Sequence, residues 1–259
     1  MKNKFTPLFA PLHAPLLALI LPIVLVSSCK TINSNNEALH IPKSIVYFSF
    51  DDGPNAQGDS TARLLDVLKK YQIKAIFCLL GENVERYPDL VRRIYNDGHY
   101  IANHGYSDIL AGEMNYAQFR DNLVRGGEAI SGVLGFDMNP KLYRPHGGFY
   151  SSAQEKIIYD EDYKIVLSTV RVYDAVIDGT KKGNVIRQVV KKVEKQGGGL
   201  VLLHDARGSG IITEAQLAKN PRGVFDRSWI PDTVEEIITI LLKKGFILNS
   251  SDILTAIGN

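Results

Sequence analysis

Two cysteines in 259 residues are too few for a disulfide scaffold or a four-cysteine zinc site, so any metal must be held mainly by His, Asp or Glu. Charge of one sign is also lacking. Thirty Lys and Arg stand against 28 Asp and Glu, a formal +2. That balance excludes a dominant nucleic-acid footprint, though not a local basic patch. The chain has no internal repeat, and no low-complexity stretch beyond its first segment. No glycine-rich phosphate turn follows the first candidate strand, which argues against an open dinucleotide-binding sheet. What remains is ordinary globular composition, 45% apolar and 22% charged. The length suits one large domain or two small ones.

The amino-terminal segment reads as a signal. Lys2 and Lys4 precede a mostly apolar run from Leu8 to Val26, interrupted by Pro11, Pro15 and Pro22. It ends in Val26-Ser27-Ser28-Cys29, which resembles a bacterial lipobox, where the cysteine is lipidated and becomes the first mature residue. An uncleaved anchor or an ordinary cleavage site are the alternatives. The three prolines and the small residues before Cys29 favour cleavage. Loss of Lys2 and Lys4 then leaves equal basic and acidic counts. Residues 29–43 are polar and read as a tether. The expectation is an exported, membrane-anchored lipoprotein facing the periplasm or cell surface. Cys78 would have no disulfide partner.

From residue 44 to 259 strand and helix signals alternate in what reads as one domain. Short apolar runs at 44–50, 75–80, 100–103, 141–144, 164–170, 200–203 and 246–249 predict strands. Helical spacing is found at 61–71, 88–96, 116–134, 184–195 and 233–244. Alternation of this kind predicts an α/β fold with parallel strands and outer helices. A deformed or incomplete (β/α) barrel of about seven strands is favoured. Residues 206–231, with Gly208, Gly210, Pro221 and Gly223, read as a long loop at the strand ends, suited to substrate contacts.

Polar residues cluster where strands end, the active-site edge of parallel α/β folds. The clusters are Asp51-Asp52-Gly53-Pro54, His104 to Asp108, Arg144 to Gly148, and His204-Asp205. Each has a bland alternative: Asp-Gly-Pro is a common turn, a lone His104 is often structural, and His204-Asp205 can cap a helix. Four at once in one domain are harder to explain that way. Two adjacent carboxylates can split roles, one binding a metal and the other accepting a proton from the attacking water. His104 and Asp108, four apart, can both turn toward that metal. Three protein ligands and an open position suit a hydrolytic ion. A histidine on the opposite side can protonate a leaving amine or alcohol.

These motifs resemble the polysaccharide deacetylase family, the NodB homology domain of carbohydrate esterase family 4, over about residues 44–255. Ser49-Phe-Asp-Asp-Gly-Pro54 matches its first motif. Lys74 to Gly81 resembles its second strand, Asn103 to Asp108 its His-x-x-x-(His or Asp) motif, and Leu202-Leu-His-Asp205 its last. The resemblance implies a deformed (β/α) barrel that removes acetyl groups from sugars. It further implies Asp51 as general base, Asp52, His104 and Asp108 as metal ligands, His204 as general acid, and Leu203 lining the acetyl pocket. The cofactor would be one divalent ion: zinc, or another first-row ion such as cobalt or manganese. With Asp108 as third ligand, two carboxylates neutralise the ion and favour the harder metals over zinc.

The departures are specific. Gly105 stands where the family has Ser or Thr. The third motif, usually Arg-x-Pro-aromatic-Gly, reads Arg144-Pro-His-Gly-Gly148. Gly147 keeps the backbone N–H that would hold the oxyanion but loses the aromatic wall, and His146 adds a titratable donor. The fourth motif lacks its Trp. Asp174-Ala175 is the nearest match, with Asp174 expected either to orient Arg144, which in turn would hold Asp51, or to be a solvated loop carboxylate. The expected activity is metal-dependent deacetylation of an N-acetylated glycan. Peptidoglycan is the nearest substrate for a wall-facing lipoprotein, with N-acetylglucosamine oligomers or O-acetylated xylan as alternatives. A non-catalytic glycan-binding relative, or an amidohydrolase acting on a small non-sugar amide, are the competing readings. No nucleic-acid partner is expected.

Overall fold

The computed structural model describes residues 44–208, 225–248 and 252–257. The signal, the tether and Cys29 lie outside the described residues, as does most of the 206–231 loop. Seven parallel strands form one sheet: β1 Val46–Asp51, β2 Ala75–Leu79, β3 Tyr100–Asn103, β4 Lys141–Tyr143, β5 Tyr163–Ile165, β6 Val170–Arg171 and β7 Gly199–His204. Their spatial order is β5-β4-β3-β2-β1-β7-β6. Neighbouring strands are joined by helices α1 Ser60–Lys70, α2 Gly81–Arg86, α3 Pro88–Asn96, α4 Tyr116–Leu134, α5 Ser152–Asp160 and α6 Lys182–Gln196. Helix α7, Ile230–Lys243, and the short α8, Ile253–Ala256, follow the last strand. This is the incomplete barrel expected from the alternation.

Two of the expected strands differ from the structure. The run at 164–170 is not one strand but two, β5 and β6, lying on opposite edges of the sheet. The chain crosses between those edges within a few residues. Val166 N still donates to Tyr143 O at 2.8 Å, while Thr169 N already donates to Leu200 O at 3.1 Å. The run at 246–249 makes a single bridge, Ile247 to Ile45, and Asn249 is not among the described residues. Helix α5 was not expected, although Ser151 and Gln154 form a reciprocal capping box at its start.

Strand alternation divides the interior in two. One face carries Phe48, Phe50, Phe77, Val201 and Leu203 into the main core, against Leu64, Val189 and Ile237 of the surrounding helices. The inner face carries Tyr47, Ile76, Cys78, Ala102, Leu142 and Leu200, closed off by Ile253 of α8. Continuing the inner alternation to the strand ends brings Asp51, His104, Arg144 and His204 to one edge of that face. Register enforces this, because Asp51 pairs with His204 and Asn103 with Tyr143. Among the described residues no helix is long and apolar enough to cross a membrane.

Candidate active site

Adjacent residues in a strand point to opposite faces, so Asp51 and Asp52 could not both enter one site without a break. The break is at Asp52, whose φ of +72° lies in the left-handed region, a conformation Asp tolerates better than most residues. Both carboxylates then meet the same imidazole: His104 Nε2 lies 3.8 Å from Asp51 Oδ2 and 3.6 Å from Asp52 Oδ1. Asp52 is fixed from behind. Its Oδ2 accepts from Gly208 N at 3.0 Å, and its carbonyl accepts from Asn83 Nδ2 at 2.7 Å.

His104 Nδ1 sits 2.6 Å from the carbonyl of Arg144. A carbonyl only accepts, so Nδ1 carries the proton and the lone pair of a neutral ring points from Nε2 toward the two carboxylates. That is the tautomer of a metal-ligating histidine. Arg144 is buried and donates from Nη1 to Asp51 Oδ1 at 2.6 Å and to Ser49 Oγ at 2.9 Å. Burial pushes the Asp51 carboxyl up. The Arg144 guanidinium, helped by positive charge on the histidine side of the site, outweighs that and holds it at about 2.

On the other side of Asp51 stands His204. Its Nδ1 donates to Asp174 Oδ1 at 2.9 Å, and its backbone N donates to Asp174 Oδ2 at 2.8 Å. Asp174 is fully buried and therefore is not a solvated loop carboxylate. It does not orient Arg144 either; its counter-ion is Arg227, whose Nη2 donates to Asp174 Oδ2 at 2.6 Å. Arg227 also reaches the His204 carbonyl at 2.9 Å. Burial alone would lower the His204 pKa. The charge and hydrogen bond of Asp174, with Asp52 and Asp51 beyond, raise it to about 9. The ring keeps 15% of its side-chain surface exposed.

Among the described residues one group of three can close on an ion: Asp52, His104 and His146, with one ligand atom from each lying within 4.8 Å of the others. Asp108, expected as the third member, is not in it. The chain leaves β3 through Gly105 at φ +88°, and the turn is pinned by Tyr106 N donating to Asn122 O. That turn carries Asp108 outward, 29% exposed, with Oδ1 3.4 Å from His146 Nε2 and Oδ2 3.8 Å from Arg207 Nη1. Gly105 itself is explained by its φ and by the Asn122 amide, which a Cβ would meet at 2.6 Å. Leu203 also differs from expectation. It is buried in the helix-facing core, so Leu202, two before His204, is the residue sharing the histidine's face.

The family model for polysaccharide deacetylases matches residues 40–166. A peptidoglycan-N-acetylglucosamine deacetylase of Bacillus cereus is 36% identical over 132 residues, 51% of this chain and 46% of that relative. The chain thus spans about half of its length. A second Bacillus cereus protein of the same name is 30% identical over 179 residues, 68% of this chain and 80% of the relative. The chain belongs to the polysaccharide deacetylase family. Among solved structures, a family 4 acetyl xylan esterase from Clostridium thermocellum in complex with a cobalt ion superposes with a TM-score of 0.60 at 28% identity. The match covers 78% of this chain and 85% of that one.

The third motif, Arg144 to Gly148, is where the expected pattern of that family is altered in this chain. Gly147 is exposed in a tight turn at φ +64°. The space its absent side chain would take is bordered by Phe149 and Leu110, at 3.5 and 3.8 Å from an ideal Cβ. Both are half exposed, so the site keeps an apolar rim supplied from other positions. Arg227 escaped sequence reading altogether. The only signal for it was its place in the 206–231 loop, since its partners Asp174 and His204 lie 53 and 23 positions away.

Proposed function

We propose that this protein is a divalent-metal-dependent deacetylase that hydrolyses N-acetyl groups on a glycan, with an N-acetylglucosamine polymer such as peptidoglycan as the first substrate. The observation that carries the reading is the opposed poise of two groups at paired strand positions. Asp51 is held ionised by Arg144 and His204 is held protonated by Asp174. Family membership and the names of the Bacillus cereus relatives support it.

Asp52 and His104 fit a divalent ion, because the hydrogen bond from Nδ1 leaves the His104 Nε2 lone pair facing the Asp52 carboxylate. Such an ion, when bound, supplies positive charge that polarises the acetyl carbonyl and acidifies a water. The remaining work falls to the chain. Asp51 accepts the proton of the attacking water as its oxygen adds to the acetyl carbon. Arg144 holds the carboxylate in line and keeps it charged. The C–N bond breaks as His204 Nε2 gives its proton to the leaving nitrogen, yielding a free amine on the sugar and acetate. Asp174, clamped by Arg227, fixes the His204 ring with Nδ1 turned away and Nε2 toward the site. Phe149 and Leu110 offer apolar surface for a sugar face.

Export and a lipid anchor at Cys29 complete the proposal, supported by the basic head, the apolar run and the lipobox-like end of residues 1–29. The substrate test is a panel of peptidoglycan, N-acetylglucosamine oligomers and O-acetylated xylan. Equal release of acetate and free amine from the N-acetylated members is expected. Acetate from xylan alone would move the substrate class to esters, and none from any would remove the enzymatic reading.

A further inference from the structure

His146 is buried, yet neither ring nitrogen makes a hydrogen bond. Leaving a buried polar atom unpaired costs about 1–3 kcal/mol, and native structures rarely accept it without a ligand, water or ion to satisfy it. The chain takes trouble to put the ring there. His146 opens a single tight turn whose next two residues, Gly147 and Gly148, both have positive φ, +64° and +73°. Glycine adopts these left-handed conformations without strain, and a Cβ at Gly148 would also displace the Arg171 guanidinium, whose Nη2 lies 1.7 Å from that position. The ring is thereby laid against His104, centroids 4.0 Å apart and planes 22° from parallel. One of its nitrogens comes within 4.8 Å of ligand atoms on both Asp52 and His104.

We propose that His146 is the third protein ligand of the divalent ion, entering from the loop after β4, and that Asp108 is an outer partner of that histidine. The inference rests on the metal-dependent reading above. It assigns the ligation expected of position 108 to a residue 38 positions further along the chain, where the family's third motif ordinarily has proline. The Asp108 carboxylate, 3.4 Å from His146 Nε2 and partly exposed, stands where a carboxylate orients a ligating imidazole rather than where it binds the ion. One carboxylate and two neutral imidazoles leave one net positive charge on a divalent ion, where two carboxylates and one imidazole would leave none. The nitrogen-rich set suits zinc better than manganese.

The test counts imidazoles on the ion and needs no turnover. Purified full-length protein is loaded with Cu²⁺, and the electron-spin-echo modulation from the remote ring nitrogens is measured. Two coordinated imidazoles are expected in the wild type and one in His146→Gln. His204→Gln, which removes the other nearby histidine, should leave the count at two, and it keeps the test decisive should His146→Gln fail to fold. A count unchanged by His146→Gln, or one that falls in His204→Gln, overturns the assignment. Failure of the functional reading looks different: two imidazoles would bind copper, but the zinc-loaded protein would release no acetate from any acetylated glycan.

Discussion

Asp174 sets the protonation of His204, the proposed acid. The His204 pKa is raised to about 9, so the proton is present at neutral pH and is lost as pH rises through about 9. In Asp174→Asn the largest attraction is lost, while burial, which lowers the pKa, remains opposed only by Asp52 and Asp51. The alkaline limb of kcat/KM should therefore move from about 9 toward or below the ordinary histidine value of 6.5. A limb that stays in place would show that His204 is not the acid. The same pair should contribute stability that is complete below about 6.5 and is lost as pH rises through about 9. Asp51-Asp52 and His204-Asp205 were legible as polar residues at strand ends. Their supports were not. Asp174 and Arg227 meet His204 from 30 and 23 positions away, through a short 3₁₀ turn and a long loop that carry no periodic signal. His146 could be seen as an oddity in its motif, but its stacking on His104 depends on how two separate loops pack.

At the level of elements, strand polarity accounts for the role of Leu203. Asp51 and His204 share the inner face because the residues before them, Phe50 and Leu203, fill the outer one. Leu203→Ala should open a cavity in the main core and cost about 2–5 kcal/mol, read from the denaturant midpoint, with KM little changed. A raised KM at unchanged stability would return Leu203 to the acetyl pocket. The helical faces of α1, α3, α4, α6 and α7 were visible in the apolar spacing because each buries one stripe against the sheet. The split of 164–170 into β5 and β6 was not visible, because both halves are apolar enough for a strand and only the sheet order separates them. Helix α5 carried a readable start in Ser151 and Gln154, and its apolar stripe of Ile157 and Ile158 is short.

At the scale of the whole molecule, the proposed export and lipid anchor at Cys29 make a separate prediction. Cys29→Ser should shift the protein from the membrane fraction to the soluble one, because stable anchoring needs more than one lipid chain at about 0.8 kcal/mol per buried CH₂. A variant that stays with the membrane would point to an uncleaved apolar segment. The most direct test of the central claim is acetate release from an N-acetylglucosamine polymer before and after removal of divalent ions. It is run with wild type, Asp51→Asn and His204→Ala. Wild-type activity should vanish with the chelator and return with zinc. Both variants should fall about 10²–10⁴-fold while keeping the metal. Full activity in the chelated enzyme, or wild-type turnover in either variant, would contradict the assignment.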